Sequence, residues 1–226
     1  MSNIIPGIHT NVLSQHPSDV ATSLQLLLLI TILSLAPAIL ILMTSFTRIV
    51  IVLSFVRTSL STQQTPPNQV LIGLALFLTL FIMAPVFSQV NHDALKPYLN
   101  GHISQKEAIT RAEDPFKEFM AKQTRQKDLN LFLKYGHYKQ PKTINDIPMT
   151  AMVPAFTISE MKTAFEMGFM IFIPFLVIDM VVASVLMAMG MMMLPPVVIS
   201  LPFKILLFIM VDGWYLVVQS LLAGYS

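Results

Sequence analysis

The charged residues of this chain are gathered in one block, and that distribution constrains the fold more than any motif. Residues 91–162 hold eleven Lys or Arg and eight Asp or Glu; outside them stand only Asp19, Arg48, Arg57, Glu166, Asp179, Lys204 and Asp212. A polar centre is therefore flanked by two long apolar regions. Only 12% of the 226 residues are charged and 54% are hydrophobic, whereas an ordinary soluble domain is about 25% charged. That balance argues against a soluble globular protein. The net charge of +2 is too small to point to nucleic acid. The absence of cysteine excludes disulfide frameworks, thiolate zinc sites and thiol catalysis.

Four apolar stretches follow. Residues 24–43 are uncharged and long enough to span a bilayer of about 30 Å, and the apolar pattern runs on through 46–56, interrupted by Arg48. The second stretch is 70–90, the third runs from 167 past Asp179 to 194, and the fourth is 197–224 with Lys204 and Asp212 inside it. Helices over 22–60 or 158–194 would reach roughly 55 Å at 1.5 Å per residue, more than a simple span needs. Each stretch contains a proline, at Pro37, Pro85, Pro174 and Pro202, and an interior proline removes a hydrogen bond and kinks a helix. The expected fold is an all-α membrane-associated protein. Two long kinked helical hairpins turn at Pro66-Pro67-Asn68 and Leu194-Pro195-Pro196, with a small helical extracytoplasmic domain inserted between them. The expected division is an N-terminal segment 1–23, a first hairpin 24–90, the inserted domain 91–156 and a second hairpin 157–226.

The central block reads as helical. Ser104 and Glu107 form a capping box, Asp114-Pro115 reads as an N-cap before a first-turn proline, and Gly136 stops a helix over 129–135. Thr157 and Glu160 read as a second capping box that opens the third long helix, with Phe156 and Met161 as its staple. Arg48 and Arg57 lie by the first turn with no acid near them in sequence, and Lys204 lies near the second. The positive-inside rule then places both turns in the cytoplasm and both termini and the central block outside. No signal peptide is evident: the apolar run begins only after more than twenty residues without a Lys or Arg, so the chain reads as signal-free or already processed.

No catalytic constellation is present. There is no HExxH, GxSxG, GxxxxGK[ST] or GxGxxG, and His9, His16, His92, His102 and His137 make no ligand-like pair. No cofactor or metal is expected, and the chain reads as a non-enzyme. Asp179 and Asp212 lack the Gly-x-Gly-Asp context of an intramembrane aspartyl protease. A lone carboxylate in hydrocarbon is costly, so Asp179 is expected either to pair with Lys204 or to face water inside an assembly. Asp179 lies sixteen residues before Pro195 and Lys204 eight after Pro196. In two straight helices they would not sit level, so the pair needs kinks, a neighbouring subunit or water. Met180, Met187, Met189, Met191, Met192 and Met193 crowd into fourteen residues at the second turn. Three consecutive methionines cannot share one helical face. They read either as apolar packing in a hairpin tip or as a deformable ring that closes a pore.

Several long motifs carry a resemblance. These are Met43-Thr44-Ser45-Phe46-Thr47-Arg48-Ile49 with Val56-Arg57, Thr62-Gln63-Gln64-Thr65-Pro66-Pro67-Asn68-Gln69-Val70, Ile173-Pro174-Phe175-Leu176-Val177-Ile178-Asp179, Met189-Gly190-Met191-Met192-Met193-Leu194-Pro195-Pro196, Ser200-Leu201-Pro202-Phe203-Lys204 and Asp212-Gly213-Trp214. In this order they resemble the FliP family of flagellar biosynthetic proteins from about Leu35 onward, more weakly in the central block. The resemblance implies a core subunit of the flagellar type III export gate in the bacterial inner membrane. Several copies, five in the usual description, would form a ring with FliQ and FliR, beside FlhB and FlhA, that passes unfolded flagellar subunits and templates the rod. It implies that Met191, Met192 and Met193 form a gasket in the closed pore and that Asp179 and Lys204 bridge subunits, with Arg125 a candidate to join them. Arg48 and Arg57 remain cytoplasmic anchors. The homologous subunit of a virulence injectisome is the nearest competing reading. A small-molecule or ion transporter is the next, supported by proline-broken helices and buried charge.

Overall fold

Three apolar stripes, on α1, α2 and α5, organise the fold. The computed structural model of the chain describes residues 26, 27, 29–31, 34, 38, 41–62, 64–191 and 193–225. The chain divides into two units, 1–40 and 41–226. The described residues of the first are helical, and its segment 1–23 and the expected kink at Pro37 lie outside the described residues. The second unit contains α1 (Phe46–Ser59), α2 (Asn68–Val90), α3 (Gln105–Gln123), α4 (Gln126–Tyr135), α5 (Met149–Ala188), α6 (Pro196–Met210) and α7 (Gly213–Ala223), with no strand among the described residues. The all-α class expected from the sequence is the one observed.

Ile49, Val52, Leu53 and Val56 recur at i, i+3, i+4 and i+7, so α1 buries one stripe completely. Each such side chain contributes roughly 1.5–3 kcal/mol on burial. The partner stripe on α5 is made of small residues where α1 crosses it. Ala164 is fully buried, and a Cβ on Gly168 would stand 2.5 Å from the Phe55 ring. Small residues let helix backbones approach closely, which is how apolar helices gain packing without a hydrophobic difference from lipid. On α2 the buried stripe is Leu71, Ala75, Thr79, Met83 and Val86, while Phe77, Leu80 and Phe81 on its other faces are exposed.

Among the described residues, two helices are long and apolar enough to cross a membrane: α2 with its extension to Leu99, 32 residues, and α5, 40 residues. At 1.5 Å per residue, α5 reaches about 60 Å, twice the thickness of a bilayer core. The α6–α7 pair forms a third span if it crosses as one bent unit. The protein is thus a membrane protein with transmembrane helices, several of whose apolar faces have no partner within one chain.

Two breaks lie at positions not marked by a proline. The first long helix is interrupted at Met43, Thr44 and Ser45, where Thr44 Oγ1 donates to the Ile41 carbonyl at 3.0 Å. The last is bent by 61° between α6 and α7 at Asp212, and α6 passes through Pro202 without a break. Asp212 has φ of 51°, a left-handed conformation that Asp tolerates better than most residues. Helix α5 begins at Met149, so Thr157 and Glu160 lie in its interior and do not cap it. Similarly, Pro115 sits inside α3, where Pro115 and Phe116 are buried, and Asp114 is no N-cap. Half of the expected capping box on α3 is present: Ser104 Oγ accepts from Glu107 N–H at 3.3 Å, while the Glu107 carboxylate accepts from Arg111 and not from the Ser104 N–H. The stop of α4 at Gly136 is as expected.

The central helices share their core with the apolar ones. Phe116, Met120, Leu129, Leu133 and Ile147 pack with Met83 and Val86 of α2 and with Ala151, Met152, Ala155 and Phe156 of α5. A second core joins α1, Leu71 and Ala75 of α2, Ala164 and Phe175 of α5, Phe208 of α6, and Val217 and Leu221 of α7. Along α5 the two cores are separated by the turn that carries Ser159 and Glu160.

Candidate functional site

Two ion pairs contain a fully buried member, one between the cores and one near the hairpin turns; a further buried cation, Lys117, donates to the Asn145 carbonyl. Between the cores, Arg48 and Glu160 form an ion pair with 3% and 0% of their side chains exposed. Glu160 lies four residues after Phe156 and four before Ala164, so helical periodicity puts its carboxylate on the buried stripe. Arg48 comes from the first turn of α1. Its Nη2 also donates to Gln123 Oε1 at 3.0 Å and its Nη1 to the Gly224 carbonyl at 3.3 Å. Its Cζ sits 4.1 Å from the centre of the Tyr225 ring, within cation–π range. The Tyr225 hydroxyl donates to the second oxygen of Glu160. The ring stacks on Phe119 of α3, with centroids 5.8 Å apart and planes 14° apart.

Arg48 is therefore not a free surface anchor. Its partner lies 112 residues away in sequence and was assigned on sequence grounds to a helix cap, so the pair was invisible to local reading. The signal that would have revealed it is Pro148, which fills the position before Met149 and moves the helix start two turns upstream.

Near the turns, Lys204 Nζ donates to Asp179 Oδ2 at 2.6 Å and to Ser61 Oγ at 2.7 Å, and Ser200 Oγ donates to Asp179 Oδ1. Lys204 is 1% exposed and Asp179 27%. The bridge forms within one chain, without a second subunit. The register that seemed to forbid it resolves once the loop is counted correctly. Asp179 is nine residues before the end of α5 at Ala188, and Lys204 is eight after the start of α6 at Pro196. Residues 189–195 are not helical and take up the difference. Ser61, at φ 60° in the first hairpin turn, ties that turn to the same charge pair.

Ser61, at the start of the first turn, is thus level with Asp179 and Lys204, and the tip of the second hairpin lies about one helical segment further on. Eight residues of helix add about 12 Å. At that tip Gly190 adopts φ of 73°, and Met191 and Met193 are 43% and 98% exposed. Met192 lies outside the described residues. Met187 and Met189 are also exposed.

Arg125 does not join the Asp179–Lys204 pair. Its Nη2 donates to Thr163 Oγ1 at 3.3 Å and to Glu166 Oε2 at 3.1 Å, on the face of α5 beside α4. Arg57 donates to Asn68 Oδ1 and the Pro66 carbonyl, clamping the first turn. Among the described residues no three His, Asp or Glu converge as metal ligands.

The sequence profile of the FliP family matches residues 29–221. The chain belongs to the FliP family. It is 69% identical over 212 residues to flagellar biosynthetic protein FliP of Bacillus subtilis, covering 94% of this chain and 96% of that one. The FliP of Pectobacterium carotovorum is 51% identical over 98% of this chain and 86% of its own length. A Buchnera aphidicola FliP is 50% identical over 98% of this chain, which spans 59% of that longer protein. Both charge pairs and the methionine tip lie within the matched FliP region.

Proposed function

We propose that this chain is a pore-forming core subunit of the flagellar type III protein export gate in the bacterial inner membrane. Several copies, with five the expected number, assemble with FliQ and FliR, beside FlhB and FlhA. The assembly passes unfolded flagellar subunits and templates the rod. In this reading the two hairpin turns face the cytoplasm, and the central helices and both termini lie on the other side.

The observation that carries the reading is the methionine tip. Met191 and Met193 are exposed at the tip of the second hairpin. Among the described residues Met193 is almost fully exposed and Met191 nearly half exposed, whereas a ring of copies would bring them together with Met192 at one constriction. Such a constriction blocks ions by dewetting and yields to a passing chain, because methionine rearranges easily. The exposed apolar faces of α2 and α5 supply surface for neighbouring subunits as well as lipid. A 40-residue α5 fits an assembly that stands partly outside the bilayer. No covalent bond is made or broken in this role, so the energy for transport comes from partners or the proton motive force.

The test is native mass spectrometry of the tagged protein gently extracted from its own membrane. The expected result is a multi-copy assembly that carries two other small membrane proteins. A monomer or dimer without such partners, under conditions that keep known gates intact, refutes the reading.

A further inference from the structure

The Arg48–Glu160 pair is completed by Gly224 and Tyr225, which follow α7. Glu160 presents two carboxylate oxygens in a site with no exposure: one takes Arg48 and the other takes the Tyr225 hydroxyl. Arg48 has four partners, and two of them, the Gly224 carbonyl and the Tyr225 ring, lie about 176 residues downstream. Without the segment 224–225, one buried oxygen of Glu160 loses its donor, and one face of the guanidinium opens. A buried ion left short of partners is strongly disfavoured. Tyr225 also touches α3, through the stack of its ring on Phe119. One short segment thus joins the start of α1, the end of α3 and the middle of α5 at the boundary between the two cores.

We propose that Tyr225 is a closing latch: the start of α1 is fixed against α5 only when Tyr225 docks between Arg48 and Phe119 and donates to Glu160. Until then the hairpin-turn core is held by its own apolar contacts and the Asp179–Lys204–Ser61 network, and the start of α1 at Ser45 remains open to water. The latch makes locking of the first core helix depend on a segment translated after every helix that it joins. This inference is independent of the pore reading, since it concerns closure of a single chain.

The cysteine-free sequence allows a direct test with single introduced thiols. Ser45 is fully buried three residues before Arg48, and among the described residues its Oγ has no hydrogen-bond partner, so Ser45→Cys sacrifices no bond seen there. Ser59 is equally buried at the far end of α1, and Ser59→Cys serves as the reference. Maleimide labelling of each full-length variant is followed in native membranes, with Tyr225 intact, as Phe and as Ala. Tyr225→Phe keeps the ring and loses only the charge-assisted hydrogen bond, so labelling of Ser45→Cys rises about tenfold. Tyr225→Ala raises it further, and the Ser59→Cys rate stays constant in all three. Equal labelling of Ser45→Cys with Tyr and Phe overturns the latch. A parallel rise at both positions also overturns it, because it reports general loosening and not release of one end of α1.

Discussion

Replacing Arg48 by Met should destabilise the protein more than replacing Glu160 by Gln, and the double replacement should cost less than the two singles together. Arg48→Met leaves a carboxylate with 0% exposure and one donor, the Tyr225 hydroxyl. Breaking a buried pair in this way costs about 3–5 kcal/mol, and this variant belongs at the upper end. Glu160→Gln leaves Arg48 with Gln123 Oε1, the Gly224 carbonyl and the Tyr225 ring, and the new amide oxygen can still accept. Its cost is about 3 kcal/mol. The singles therefore sum to roughly 7–8 kcal/mol. The double variant removes both charges, and its cost approaches that of a few lost neutral hydrogen bonds, about 1–1.5 kcal/mol each. A coupling energy of at least 2 kcal/mol follows, within the range seen for residues in one network. Unfolding in mixed micelles with increasing dodecyl sulfate, followed by fluorescence of Trp214, the sole tryptophan, gives all four stabilities. Costs that add within about 0.5 kcal/mol would refute the coupling. A milder effect for Arg48→Met than for Glu160→Gln would refute the account of which partner is left stranded.

Three further outcomes are expected. Replacing Met191, Met192 and Met193 together by Ala should make membranes leak ions while export of flagellar subunits persists; an unchanged leak in a conductance or ion-sensitivity assay counts against the gasket. Asp179→Ala should cost about 3 kcal/mol or more, and Lys204→Met less. The first strands an ammonium at 1% exposure with only Ser61, the second a carboxylate at 27% exposure that keeps Ser200. The same unfolding assay ranks them, and the reverse order would show that the pair is not the local determinant. Gly168→Ala should cost about 1–3 kcal/mol because its Cβ meets the Phe55 ring at 2.5 Å. Gly73→Ala, with open space around it in α2, should be neutral or stabilise by up to about 1 kcal/mol; thermal melting of the two variants separates them.

The membrane class and the all-helical architecture were legible because they follow from charge distribution and apolar length, properties of whole segments. Break positions were not. Pro202 drew attention as a kink, yet the 61° bend lies at Asp212-Gly213, an Asp-Gly pair that is itself a turn signal and that was read only as a charge inside a long apolar stretch. The Asp179–Lys204 pair was visible as two charges in need of each other. Its register was obscured because residues 189–195 were counted as if they were helix. Arg48 was misread for a deeper reason: a charge's partner is a tertiary fact. Local sequence shows only that no acid stands nearby, and the acid that answers it was read into a cap motif that its residues satisfy equally well on paper.

Both ion pairs sit where packing alone would leave relative position underdetermined. Stripes of Ile, Val, Leu and Ala on helices in an apolar solvent can slide by a turn at small cost, because lipid offers nearly the same contacts as a neighbouring helix. A buried charge cannot slide, since a one-turn slip strands both partners. Arg48–Glu160 fixes α1 against α5, and Asp179–Lys204 with Ser61 fixes the second hairpin against the turn of the first. Buried polar groups are best attested in this role of setting register. That register determines where the methionine tip stands relative to Ser61. A slip of one turn would move Met191 and Met193 by about 5.4 Å, comparable to the reach of the side chains themselves. A constriction built from these tips is therefore only as well placed as the two charge pairs that hold their hairpin.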